Sequence, residues 1–150
     1  MNQLQEPAHR DSYDYFARIT TRWSDNDAYG HINNVVYHSF VDTAVNRHLL
    51  EQGVLDILGS ETIGLVKENR CVYFSSIAFP DQIDVGLKVA HIGNSSVRYE
   101  IGIFKEDEPL TAAIGLFVHI YVDRITAKPT RVPDSVRAAL APLQSGQATS

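Results

Sequence analysis

Two carboxylates, Asp25 and Asp27, are followed closely by Tyr29, His31, Asn33 and Asn34, just ahead of the longest helical pattern in the chain. A carboxylate can act as a general base or as a nucleophile. A helix N-terminus beside it offers unpaired N–H groups and the positive end of a dipole. The set therefore suits chemistry on a carbonyl or a phosphate. The same residue types also turn a chain and cap a helix, so spacing alone leaves both uses open. Phosphate fits less well, because the loop is acidic and has no glycine-rich run ending in lysine.

Periodicity predicts the elements that hold these residues. Tyr15, Ala17, Ile19, Thr21 and Trp23 alternate with Phe16, Arg18, Thr20 and Arg22, the period of a half-buried strand that stops at Ser24. Residues 24–30 read as a loop. Asn33 or Asn34 then caps a helix whose apolar positions, Val36, Tyr37, Phe40, Val41, Ala44, Val45 and Leu49, recur at three and four. Gly53 stands where a left-handed C-terminal cap is expected. Four more strands follow: Ile63 to Ser75, Ile83 to His91, Val97 to Ile103, and Leu110 to Val122. The second of these turns into the third through Gly93-Asn94-Ser95. Residues 135–140 read as a short helix. The order predicts an α+β fold, an antiparallel sheet packed on one major helix. The last long strand is apolar on both faces, so both need cover, and self-association is the expected source. The chain divides into a loose tail, Met1 to Asp14, one domain over 15–140, and a second loose tail over 141–150.

Composition narrows the function classes. Thirteen basic against 18 acidic residues give a net charge of -5, and no basic run offers a nucleic-acid surface. No apolar run approaches the about 20 residues of a membrane span. The single cysteine, Cys71, cannot form an internal disulfide and reads as a buried structural thiol in a strand-like run. No secretory signal pattern opens the sequence, so a cytoplasmic setting is expected. His38 and Asp42 share a helix face, but no third ligand accompanies them, and a zinc site needs three or four.

The string RWSDNDAYGHINNVVY resembles the signature of the hot-dog-fold acyl thioesterases, in particular the 4-hydroxybenzoyl-CoA thioesterase family and its acyl-carrier-protein relatives. FPDQIDVGLKVAHIGNSSVRYEIGIF extends the likeness, which covers about residues 15–123. It implies a curved five-stranded antiparallel sheet wrapped around one long central helix, and acyl-CoA hydrolysis with no metal or organic cofactor. It also implies assembly as homodimers joined edge to edge, often paired into tetramers. Carried over residue by residue, Asp27 matches the catalytic carboxylate, as base or as nucleophile. Asn34 matches the position whose N–H polarises the thioester carbonyl, and His31 matches an active-site histidine of the plant-type members. Those members have asparagine where this chain has Tyr29. Tyr29 and Tyr37 are expected to meet the substrate, and His91, Asn94, Ser95 and Ser96 to reach the phosphates of coenzyme A. A hydratase or dehydratase acting on acyl thioesters, and a non-catalytic acyl-thioester-binding dimer, are the alternatives.

Overall fold

Residues 6–144 are described by a computed structural model. Five strands and two helices follow in the order β1 (Tyr15–Thr20), α1 (Asn34–Glu51), β2 (Thr62–Tyr73), β3 (Gln82–Ile92), β4 (Ser96–Lys105), β5 (Ala113–Asp123) and α2 (Asp134–Leu140). The strands form one antiparallel sheet in the order β1-β3-β4-β5-β2, with α1 packed against it. This is the hot-dog arrangement that the resemblance implies. β1 and β2 are its two edges.

Alternation decides which face each strand gives to α1. Ile83, Val85, Leu87 and Val89 of β3, Val97, Tyr99, Ile101 and Ile103 of β4, and Ala113, Phe117 and Tyr121 of β5 join one core. From α1 it receives Tyr37, Phe40, Val41, Ala44, Val45 and Leu49. Burial of each large apolar side chain stabilises by about 1.5–3 kcal/mol, so this stripe fixes the position of α1 on the sheet, and with it the position of the helix N-terminus.

Both ends of α1 follow local rules. Asn33 is the N-cap, its side chain accepting the Val35 N–H at 2.9 Å. Gly53 lies at φ +72°, the left-handed conformation that glycine adopts without steric cost. The first strand ends earlier than the alternation suggests. After Thr20 the chain tightens into a 3₁₀ turn over Trp23–Asp25, because the Asp25 carboxylate captures the Arg22 backbone N–H at 2.8 Å and the Arg22 guanidinium.

The outer face of the sheet departs from expectation. The N-terminal segment, read as a loose tail up to Asp14, is tied down over residues 8–14; residues 1–5 lie outside the described residues. Tyr13 is buried at 4% exposure, its ring lying over two glycines. A Cβ at Gly102 would come within 2.7 Å of that ring, and one at Gly86 within 2.8 Å. Arg10 pairs with Asp84 at 2.7 Å and stacks over the Phe104 ring. Part of the cover that the sequence assigns to a second copy of the chain is therefore supplied by the chain itself. At the other end, Leu143 is buried and Gln144 bridges to Val89, so the ordered domain continues past residue 140; residues 145–150 lie outside the described residues. Among the described residues no helix is long and apolar enough to cross a membrane.

Candidate active site

The acidic loop is held from both sides, and its two aspartates have different roles. Asp25, at 2% exposure, is structural: its carboxylate closes the Arg22 turn, and its carbonyl accepts the Asn33 N–H at 2.9 Å. Two residues of the loop, Asn26 and Ile32, are also stitched to the β2–β3 connection and to each other. Asn26 Oδ1 accepts the Phe79 N–H at 3.0 Å, and Ile32 donates to the Ile77 carbonyl at 2.8 Å. Asn26 further bridges to Ile32. The loop is thus a rigid shelf in front of α1.

Asp27 sits on that shelf, half-buried. Its Oδ1 accepts the Tyr29 N–H at 2.9 Å and the His31 N–H at 3.4 Å, and its own N–H donates to the His31 carbonyl at 2.8 Å. Gly30, at φ +81°, makes the tight return possible. Asp27 Oδ2 has no hydrogen-bond partner among the described residues. One oxygen orients the carboxylate and the other is left unpaired.

Asp27, His31 and Asn34 line one cleft of about 320 Å³. Asn34 is the first residue of α1, and its backbone N–H has no acceptor among the described residues. Tyr37, one turn into the helix and 3% exposed, forms part of the wall, edge-on to Tyr73 at 4.9 Å. Burial pushes the Tyr37 hydroxyl up from its ordinary value and Tyr73 to about 12, so both are neutral donors at neutral pH.

The remaining expected residues are not gathered here. Tyr29 stands at the loop tip, 86% exposed, outside the cleft wall. His91, Asn94, Ser95 and Ser96 form the β3–β4 hairpin, at the opposite end of the sheet from the strand ends that flank Asp27. Ten residues of strand at about 3.3 Å each separate the two ends by roughly 33 Å. Within one chain they cannot share a substrate's thioester. Conversely, Tyr73, Phe74, Ser75 and Ser76 line the cleft, although the sequence reads Tyr73 to Ser75 only as the end of a strand and gives Ser76 no role. Nothing local marks it; it reaches the cleft because β2 pairs with β5 and ends beside the N-terminus of α1.

The other reactive side chains are otherwise engaged. His38 Nδ1 lies 2.8 Å from Asn69 Oδ1, while Asp42 accepts from Asn46 at 3.1 Å. Among the described residues no three His, Cys, Asp or Glu side chains group as a metal site requires. Burial pushes the Cys71 thiol up to about 11, which suits a structural thiol and not a nucleophile.

The model of the thioesterase-like superfamily matches residues 21–140, a span that contains the shelf, the cleft and all of α1. The PA5185 protein of Pseudomonas aeruginosa, known from a crystal structure, is 51% identical. It superposes with a TM-score of 0.90, the match covering 93% of this chain and 98% of that one. A Thermus thermophilus thioesterase, complexed with coenzyme A and Zn, is 26% identical with a TM-score of 0.71, over 89% of this chain and 96% of that one. A 1,4-dihydroxy-2-naphthoyl-CoA thioesterase from Synechocystis shares the fold at 13% identity, with a TM-score of 0.78 over 86% of this chain and 96% of that one.

Proposed function

The chain belongs to the thioesterase-like superfamily, and we propose that it hydrolyses acyl-CoA thioesters to a carboxylic acid and free coenzyme A in the Asp27 cleft. The observation that carries this reading is the pairing, in one cleft, of a carboxylate oxygen without a partner and an unpaired N–H at the start of α1. Thioester hydrolysis needs both. As a base, Asp27 Oδ2 takes a proton from water while the water oxygen adds to the carbonyl carbon. Negative charge then develops on the former carbonyl oxygen, and the Asn34 N–H and the helix dipole stabilise it in the tetrahedral state. Collapse breaks the C–S bond, and the departing thiolate recovers the proton from Asp27. As a nucleophile, the same oxygen attacks the carbonyl directly, expels the thiolate and leaves a mixed anhydride for water to cleave. Either route runs on a carboxylate and a backbone dipole, without metal or organic cofactor. His31 lines the cleft and is exposed, so in this reading it contacts the substrate; its links to Asp27 run through its backbone and not its ring.

The edges of the sheet support a dimer. β2 is unpaired along one side and exposes Leu65, Val66 and Tyr73 at 45%, 49% and 41%, apolar side chains that a second copy would cover. In that assembly His91, Asn94, Ser95 and Ser96 would reach coenzyme A only from another chain.

The test is thiol release from a panel of acyl-CoA substrates, comparing the native protein with Asp27→Asn. The expected loss is about 10²- to 10⁴-fold in turnover. No thiol release with any acyl group would favour a binding module instead.

A further inference from the structure

A second cavity, of about 370 Å³, lies between the C-terminal half of α1 and the far end of the sheet, and has no lining residue in common with the Asp27 cleft. Asn34 in the cleft and Asn46 in the cavity are twelve residues apart on α1, about 18 Å. Phe40, Val41, Ala44 and Val45 fill the space beneath the helix between them.

The cavity wall is mixed. Leu49, Leu55 and Val136 provide apolar surface, while Asn46, Thr62 and Tyr121 provide amide and hydroxyl groups. Lysine and arginine are absent from the lining, whose charged residue is the exposed Glu61, so an anionic ligand would find no counter-charge. His119 also lines it, at 3% exposure, and its Nδ1 has no hydrogen-bond partner among the described residues. Burial pushes this imidazole down to about 4, so it is neutral at physiological pH. The strand opposite carries Gly64, where a Cβ would lie 3.2 Å from both the His119 ring and the Tyr121 ring. Both rings pack directly against this glycine, so a side chain there would displace them.

A buried polar atom without a partner costs about 1–3 kcal/mol, and in native structures it is usually met by water or a ligand. Water needs two to four polar partners, which the amide and hydroxyl side of the wall offers, while Leu49, Leu55 and Val136 suit an apolar body that water cannot replace. The size matches small-molecule pockets, which run from about 300 Å³ upward and combine an apolar lining with a few placed polar groups.

We propose that this cavity is a second binding site, separate from the Asp27 cleft, for an uncharged small molecule with an apolar or aromatic body and one hydroxyl that pairs with the His119 imidazole. The site does not depend on the hydrolytic reading.

The probe is 2-naphthol, neutral near physiological pH and fluorescent, titrated into the full-length protein. The expected result is saturable binding that weakens at least about tenfold in His119→Phe, which removes the polar partner, and in Gly64→Ala, which narrows the cavity. Binding should be unchanged in Asp27→Asn. Circular dichroism checks each fold, and Gly64→Ala decides the matter if His119→Phe does not fold. Three results would overturn the proposal: no saturable binding to the native protein, which leaves the cavity to water; binding that survives both cavity variants; or binding lost in Asp27→Asn, which puts the probe in the hydrolytic cleft.

Discussion

The Asp27 carboxylate accepts the backbone N–H of Tyr29 through Oδ1 at 2.9 Å, so the chain two residues on fixes the direction in which Oδ2 points. The orientation is local and does not depend on a substrate. An asparagine at the same position retains an Oδ1 acceptor, and Asp27→Asn should therefore keep the loop and change stability by no more than about 0.5 kcal/mol. Asp27→Ala loses the acceptor and should cost about 1 kcal/mol in addition. Both should lose turnover equally. Urea unfolding beside a thiol-release assay separates the two effects, and a variant that lost activity only in proportion to its stability would remove Asp27 from the chemistry.

The Asn34 N–H can be deleted without disturbing the helix. Asn34 is the first helical position, where proline is tolerated because its missing N–H has no partner in the helix. Asn33, just before it, has φ -63° and ψ 139°, the extended conformation that a following proline requires. Asn34→Pro should therefore leave the helix content in place and raise the barrier by about 2.7–4 kcal/mol, a 10²- to 10³-fold fall in kcat. Asn34→Ala keeps the N–H and should stay within a few-fold of the native rate. Equal losses in the two variants would assign the effect to the side chain.

The order of strands, the single long helix and the Asp27 loop were legible because each rests on local signals: alternation in β3 and β4, spacings of three and four in α1, and turn-forming residues between 24 and 30. What was not legible depends on contacts far apart in sequence. Tyr13 follows a stretch with Pro7 and no period, and only Gly86 and Gly102, remote along the chain, create the slot that holds it. Ser75 and Ser76 enter the cleft through the pairing of β2 with β5. His91 to Ser96 read correctly as a hairpin, but their distance from Asp27 follows from sheet order, which periodicity does not encode.

The Tyr13 contact makes a quantitative test of the N-terminal strap. Tyr13→Ala should destabilise by about 3–5 kcal/mol, the range for removing a buried aromatic ring. Its hydroxyl has no hydrogen-bond partner among the described residues, so Tyr13→Phe should be neutral or slightly stabilising. Gly102→Ala forces a methyl group against the ring and should cost about 1–3 kcal/mol. In the double variant Gly102→Ala with Tyr13→Ala, the two costs should not add, because the space opened by one accepts the other. Strict additivity by chemical denaturation would show that the strap does not rest on these glycines.

His119 predicts how stability depends on pH. Burial holds its folded-state pKa at about 4 against an ordinary 6.5. As pH falls through 6.5 the unfolded chain takes up a proton that the folded protein refuses until about 4. Stability rises with pH wherever the unfolded state binds more protons, so this contribution is complete above about 6.5 and is lost progressively down to about 4. The full span is on the order of 3 kcal/mol. His48, also held down by burial, acts in the same window, so the difference between the native protein and His119→Phe isolates the one residue. Asp84, which burial alone would raise but which Arg18 and Arg10 hold down, loses its contribution as pH falls through the ordinary carboxylate value of 3.8, and the same difference between native protein and variant removes it. Urea titrations between about pH 7 and pH 4 should show a shallower slope of stability with pH in His119→Phe. Identical slopes would mean that the imidazole titrates alike in the folded and the unfolded chain, and so would contradict the buried, unpartnered state on which the cavity argument draws.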